Sequence, residues 1–294
     1  MEKQQLICLE AVARHSSLGR AAKALGLAQS TVSRRIAALE RTVGLPLLIR
    51  KEDGVVLTPA GRRMLREAAS LVRQEEKMAA ECRDAAAGRV PSLRVTFGSL
   101  EEVLCRRVLV EAARRDLQPV ADCFVQPYWQ LLDHLRDLYT DAAFCPSHVV
   151  AQVEGVERLD LCAPQWRFCA REDHLVWQRP SGLERLTGQT VLALGDPGGA
   201  FEVVTPWLQQ AGARHRNVMY PNFFHGQLAM LRAGVGVALL PPFLAEALGP
   251  GLRLGEPLGP RVRYQLVWDK NNRHPALGPL VELCRALFEG GDGL

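Results

Sequence analysis

The chain of 294 residues reads as a mixed α/β protein built from a basic helical head, one long helix and a larger body of alternating strands and helices. Three observations predict this. Apolar residues recur at helical spacing from Gln4 to Glu40 and again from Pro59 to about Ala87. Two short apolar runs separated by an Asp53-Gly54 turn signal lie between those stretches. Beyond Gly88 the texture changes to strand-length runs alternating with helix-length ones. Charge divides the same way. Residues 1–66 hold 12 Lys or Arg against 5 Asp or Glu, a local balance of +7, which leaves −3 for the rest of a chain whose net charge is +4. A basic head on a slightly acidic body fits phosphate contact by the head alone.

The head is read first. Gln4 to Ser16 forms a helix with Leu6, Leu9, Val12 and Ala13 on one face. Ser17 is placed to cap a short second helix carrying Ala21, Ala22 and Leu25. Gly26-Leu27 breaks it. A third helix then puts Val32, Ile36 and Leu39 on a buried face and leaves Gln29, Ser30, Thr31, Ser33, Arg34 and Arg35 outside. Two helices meeting across a glycine turn, with small alanines at the contact, make a helix-turn-helix. Hydrogen-bonding side chains with two arginines suit a major groove; an ordinary helical hairpin with a solvated face is the alternative. Leu47 to Ile49 and Val55 to Leu57 then form a ribbon, a wing that presents Arg50 and Lys51. Thr58 caps and Pro59 opens the long helix. Met64, Ala68, Leu71, Met78, Cys82 and Ala85 form a thin apolar seam along it, which asks for a second copy of the chain as partner.

In the body, Leu93 to Gly98 alternates as a strand, and Ser99 with Glu102 reads as a capping box opening a helix to about Arg115. Val120 to Val125 is a strand, Tyr128 to Leu138 a helix, and Asp141 to Phe144 a strand. Arg167 to Ala170 and Thr190 to Leu194 follow as strands, Phe201 to Gln210 and His225 to Ala233 as helices. Val235 to Leu240 and Arg261 to Trp268 are strands, and Leu277 to Phe288 closes as a helix. The alternation predicts a mostly parallel sheet.

Ser17-Leu18, Ala21-Ala22, Leu25, Gln29-Ser30, Val32-Ser33, Ile36, Leu39-Glu40, Gly44-Leu45-Pro46-Leu47, Arg50, and Leu57-Thr58 with Gly61 keep an order and spacing that resembles the DNA-binding domain and linker helix of LysR-type transcriptional regulators. Leu48 departs from that pattern, where the family usually has Phe. Leu138, Asp141-Ala142-Ala143 and the run Ala233 to Pro241 resemble the family's effector domain, a two-lobed unit like the periplasmic binding proteins. The resemblance is loose from about Asp116 to Pro127 and from Gly249 to Pro260.

It implies a winged helix-turn-helix over 1–58, a linker and dimerisation helix over 59–88, and an effector-binding domain over 89–294. Within the last, lobe 1 is expected at about 90–162 and 266–294, and lobe 2 at about 163–265. Expected partners are double-stranded DNA with an interrupted palindromic operator, a small-molecule effector, and further copies of the chain as a dimer or tetramer. Ser17, Gln29, Ser30, Thr31, Ser33, Arg34, Arg35, Arg50 and Lys51 are the expected DNA contacts. Helix N-termini at the carboxyl ends of strands favour anions. A small anionic effector, a carboxylate, is therefore expected at Ser99, Leu100, Gln126, Tyr128, Gly199, Phe201 and main-chain amides near His225.

Other classes find less in the sequence. No stretch is apolar enough to span a bilayer and no signal-peptide core stands at the N-terminus, so a cytoplasmic protein is expected. The eight cysteines show neither Cys-x-x-Cys nor zinc-finger spacing, so neither a metal nor a cofactor is expected; Cys162 with Cys169 is a weak candidate redox pair. Gly195 to Gly199 is glycine-rich without the Lys-Ser/Thr of a phosphate loop, and no Gly-x-Ser-x-Gly elbow occurs. The rival readings are an enzyme or small-molecule-binding protein with an incidental helical head, and a regulator without a working effector pocket.

Overall fold

The computed structural model describes residues 1–51, 54–88, 92–115, 120–136, 139–195 and 201–289. The chain divides into two compact units, Met1–Arg89 and Val90–Leu294.

In the first unit, α1 (Lys3–His15), α2 (Leu18–Ala24) and α3 (Gln29–Val43) pack around Leu6, Leu9, Val12, Ala21, Val32, Ile36 and Leu39. Ser17 caps α2, its hydroxyl accepting from the Arg20 amide at 3.3 Å. Gly26 takes the left-handed conformation (φ 65°) that lets the chain turn from α2 into α3. Gly44 ends α3, and the Glu40 carboxylate accepts from the Leu47 and Leu48 amides at 2.8 and 3.1 Å, folding the chain back into β1 (Leu48–Lys51). β2 (Gly54–Leu57) pairs with it antiparallel, Lys51 opposite Gly54. Gly54 therefore belongs to the strand rather than to the turn. It is glycine because φ is 148° and a Cβ would stand 2.5 Å from the Ser16 carbonyl oxygen, on which the wing rests. Asp53, the other half of the expected turn, lies outside the described residues.

α4 (Pro59–Ala86) has 28 residues and is about 42 Å long. Thr58 accepts from the Gly61 amide at 2.9 Å and donates to the Pro46 carbonyl at 2.8 Å. A Cβ on Gly61 would meet the Leu47 carbonyl oxygen at 2.0 Å. Cap and glycine together fix the entry of α4 against the wing. The first turns of α4 bury Ala68 and pack Met64, Leu65 and Val72 on the helical core. Further along, Leu71 and Met78 stand exposed.

The second unit is mixed rather than mostly parallel. β3 (Leu93–Phe97) runs parallel to β4 (Val120–Val125) and β5 (Ala142–Pro146), with α5 (Glu102–Arg114) and α6 (Tyr128–Arg136) as the connections. β6 (Val156–Cys162) and the late strand β12 join antiparallel, giving the order β4-β3-β5-β12-β6. The chain then crosses to a second body. β7 (Gln165–Arg171), β8 (Thr190–Leu192), α7 (Val204–Gln210), β9 (Asn217–Met219), α8 (Phe224–Arg232), β10 (Ala238–Leu240), α9 (Ala245–Leu248) and β11 (Leu252–Arg261) follow in order. β10-β7-β11 form an antiparallel sheet, and β8 pairs parallel with β9. β12 (Tyr264–Asp269) returns to the first sheet and α10 (Leu277–Phe288) closes the unit.

The return comes two residues before the expected boundary at 266, so Tyr264 and Gln265 belong to the five-stranded sheet. Asp141 accepts from the Arg94 amide at 2.8 Å, clamping β5 to β3. In the run Ala233 to Pro241, Gly234 (φ 73°) turns the chain out of α8, and a Cβ on Gly236 would stand 2.3 Å from the Thr190 carbonyl oxygen, where β10 meets β8.

Gly61→Ala should lower the stability of the first unit by more than about 2 kcal/mol, because backbone has to move to admit the methyl. Thr58→Ala should lose about 1 kcal/mol of capping. Urea denaturation followed on the head measures both; a Gly61→Ala midpoint equal to that of the parent would show that the Leu47 carbonyl shifts freely.

Candidate functional site

Two surfaces collect the residues singled out by the sequence. On α3, successive side chains are rotated by about 100°. Val32, Ile36 and Leu39 are buried, and Ser30 and Arg34 are exposed on the opposite side. Gln29 is exposed at the N-terminal end, with its side-chain oxygen 3.2 Å from where a Cβ on Gly19 would stand. Thr31 and Ser33 are half-buried on the flanks. Arg35 does not join Arg34. One step of rotation turns it towards α1, where Nη1 donates to Gln4 Oε1 at 3.2 Å and lies 3.9 Å from Cys8 Sγ. On the wing, Arg50 and Lys51 are exposed, and Arg50 shares a notch of about 100 Å³ with Ser33. Helix and wing thus form one polar, basic rim.

The second surface is a cavity of about 390 Å³ in the Val90–Leu294 unit, lined by residues on or next to both the five-stranded and the three-stranded sheet. Ser99 and Leu100 line it after β3, and Gln126 with Tyr128 lines it where α6 begins. Ser99 stands outside α5 and does not cap it; Glu101 occupies the cap position, without a capping hydrogen bond. Phe201 lines the opposite wall. Gly199 lies outside the described residues. His225 is not on this cavity. It is exposed in the first turn of α8 and lines a separate hollow with Arg106 and Glu246, because α8 turns Asn222 and Phe223, just before it, to the cleft instead.

Several lining residues carried no signal in the sequence. His148 Nε2 lies 3.2 Å from the Phe201 carbonyl oxygen, joining the two walls. A carbonyl only accepts, so the ring presents its Nε2–H there. Burial holds this imidazole below the usual histidine range, hence neutral. The Tyr128 ring meets Phe201 edge-on at 6.0 Å. Glu202 accepts from the Val204 and Thr205 amides at 2.6 and 2.9 Å and so caps α7. Trp166 and Tyr264 close the floor.

Behind that floor lies Glu101, with no exposed surface. The Tyr128 hydroxyl donates to its carboxyl group at 3.0 Å. Desolvation by burial dominates, and the hydrogen bond opposes it only in part, so its pKa is pushed up to about 8. Nothing in the sequence marked Glu101, since a glutamate beside a second glutamate ahead of a helix reads as a solvated first turn. The buried thiols of Cys162 and Cys169 are pushed up to about 12 by desolvation, which leaves no thiolate for redox chemistry near neutral pH.

Two family models match. Residues 4–62 fit the bacterial regulatory helix-turn-helix protein, lysR family, and residues 88–289 fit the LysR substrate binding domain. The chain belongs to the LysR family. Among curated relatives it is 28 % identical over 250 residues to the probable cat1 operon transcriptional activator of Acinetobacter lwoffii, covering 82 % of this chain and 80 % of that one. It is 27 % identical over 296 residues to the regulator TfdS of Cupriavidus pinatubonensis, covering 97 % and 98 %. Among solved structures, CbnR, a LysR family transcriptional regulator, matches with a TM-score of 0.78 at 20 % identity, covering 98 % of this chain and 100 % of that one. CbnR in complex with its target DNA matches with a TM-score of 0.72 at 22 % identity, covering 97 % and 99 %. The rim on α3 is accordingly that of a DNA-binding transcriptional regulator, and the cavity lies in its substrate-binding domain. Among the described residues no helix is long and apolar enough to cross a membrane.

Burial of Glu101 in this LysR-family domain has a measurable sign. A raised carboxyl pKa means the folded state holds its proton more tightly, so stability is full below the ordinary glutamate range and falls as pH rises from about 4.5 to about 8. The full loss is on the order of 5 kcal/mol at about 1.4 kcal/mol per unit. Glu101→Gln keeps the size and a partner for Tyr128 while removing the proton. It should melt close to the parent at pH 5 and several degrees above it at pH 8.5. Parallel melting curves across that range would show that Glu101 ionises freely.

Proposed function

We propose that this LysR-type regulator enters the major groove with the exposed N-terminal part of α3, steadies itself on phosphates with the wing, and responds to a small molecule held in the 390 Å³ cavity. The observation that carries the DNA reading is the rim on which Ser30, Arg34 and Arg50 face outward, with Gln29 at the helix end. Arg34, Arg50 and Lys51 supply salt-dependent attraction to phosphate. Gln29, Ser30, Thr31 and Ser33 approach base edges. Ser17 and the first amides of α2 take a neighbouring phosphate. Arg35 steadies α3 on α1 and has a smaller part in the contact.

Leu71 and Met78, exposed on the later turns of α4, support pairing with a second copy. Two heads then require an interrupted palindrome, and dimers assemble further into tetramers, as the family resemblance implies. A part in transcription supports a cytoplasmic location. The volume of the cavity supports a working effector site over a filled one. The use of its acids supports binding over catalysis: Glu202 is committed to capping α7, and Glu101 is held protonated behind Tyr128.

Arg34→Ala and Arg50→Ala should each reduce the dependence of log Kd on log salt by about one, weakening all duplexes alike, whereas Arg35→Ala should leave that slope nearly unchanged. Gln29→Ala should relax the base preference recovered by selection from random duplexes. A slope untouched in Arg34→Ala, or a selected motif identical to the parent's, would remove α3 from the groove.

A further inference from the structure

The helix ends around the cleft suggest an anion, but the side chains do not. We propose that the cavity takes an uncharged aromatic molecule with a hydrogen-bond-accepting oxygen. This rests on the reading of the cavity as the effector site.

Charge argues first. Among the described lining residues there is no Lys or Arg. The ionisable groups that face the space or stand behind it are Glu202, neutral His148 and buried Glu101. A carboxylate would leave water for a site with no counter-charge among its described residues and beside Glu202, an unfavourable transfer. Of the helix ends, α7 is already occupied, its first amides bonded to Glu202. The first-turn amides of α6 and α8 donate to a neutral acceptor oxygen too, though more weakly than to an anion, and no side-chain cation adds to them among the described lining residues.

The lining then names the shape. Tyr128 and Trp129 come from one wall, Phe201 and Phe223 from the other. Trp129 is 55 % exposed and Phe223 47 %, large apolar faces that the fold itself leaves open. Aromatic rings from opposite walls favour a planar partner through offset or edge-on contact. On the floor, the Trp166 indole N–H and the Tyr264 hydroxyl are buried without a hydrogen-bond partner. Trp166 stands close enough to bias the Tyr264 hydroxyl, but no hydrogen bond of normal geometry joins them. Both atoms have almost no accessible surface, so they close the floor without reaching a ligand. A volume of about 390 Å³ accommodates one or two fused rings with a substituent.

Three ring-matched probes separate the classes: 2-naphthamide (neutral), 2-naphthoate (anion) and 2-naphthylmethylammonium (cation), measured by equilibrium dialysis against the full chain at pH 7.5. The amide should bind at least tenfold more tightly than either ion. Trp129→Ala, at a half-exposed position, should weaken the amide at least fivefold. Naphthoate or the ammonium binding as tightly as the amide would overturn the uncharged class and leave the cavity as the site. Saturable amide binding that survives Ser99→Trp, which fills the cavity, would overturn the site itself. No binding by any probe would overturn the aromatic clamp.

Discussion

The hydrogen bond from Tyr128 to the Glu101 carboxyl group, sealed from water, is the constraint on which the cleft is built. An ionised carboxylate there would need a counter-charge. The groups whose own ionisation it influences are Tyr128, Tyr264, Cys145 and Cys162, all neutral. Keeping the proton is the cheaper solution. The pair also dictates its neighbours. A Cβ on Gly98 would come within 2.3 Å of Glu101 Oε2 and 2.4 Å of the Tyr128 ring, so only glycine fits at the end of β3. One residue past the facing strand, the Gln126 amide donates to the Phe97 carbonyl at 2.9 Å. Strand end and helix start are thereby locked together, and Ser99 and Gln126 reach the cavity from fixed positions.

The facing wall is held more lightly. Across the cavity, His148 donates to Phe201 and Tyr128 meets the Phe201 ring edge-on. A hydrogen bond and an aromatic contact of this kind contribute roughly 1 kcal/mol each. A ligand with modest preference for one arrangement of the walls can outweigh that, which is the energetic scale a regulator needs. The chain joins the walls by two crossings, between Cys162 and Gln165 and between Arg261 and Tyr264, short enough to act as hinges.

How much of this was legible follows from the range of each signal. The head was readable because its determinants are local: a cap at Ser17, a left-handed turn at Gly26, a buried stripe at Val32, Ile36 and Leu39. Even there, an arginine pair looked like one unit, and only the packing of α3 on α1 separated Arg35 from Arg34. In the body, strands with continuous apolar runs were found, whereas β6, β9 and β11 were missed. β6 spaces its apolar residues unevenly among charges, and β11 carries Gly255, Pro257, Gly259 and Pro260, with register shifts to match. Even strands that were found pair antiparallel, β10 with β7 and β12 with β5, where the alternation of strands and helices had pointed to a parallel sheet. In the cleft, residues beside helix starts could be guessed. His148, Trp166 and Tyr264 converge only through tertiary packing, and no local pattern marks them.

The two surfaces divide the physics between them. On the proposed reading, the rim on α3 and the wing works through charge, whose reach in physiological salt is about 8 Å. The cavity is lined without a described cation and offers apolar area and aromatic rings. An uncharged ligand alters no field at a DNA phosphate. Its influence on DNA affinity then has to be conformational, through a differential preference for one arrangement of the cleft walls. On the proposed reading, the His148–Phe201 contact is one that a bound ligand reinforces or breaks, since it joins the two walls of the cavity.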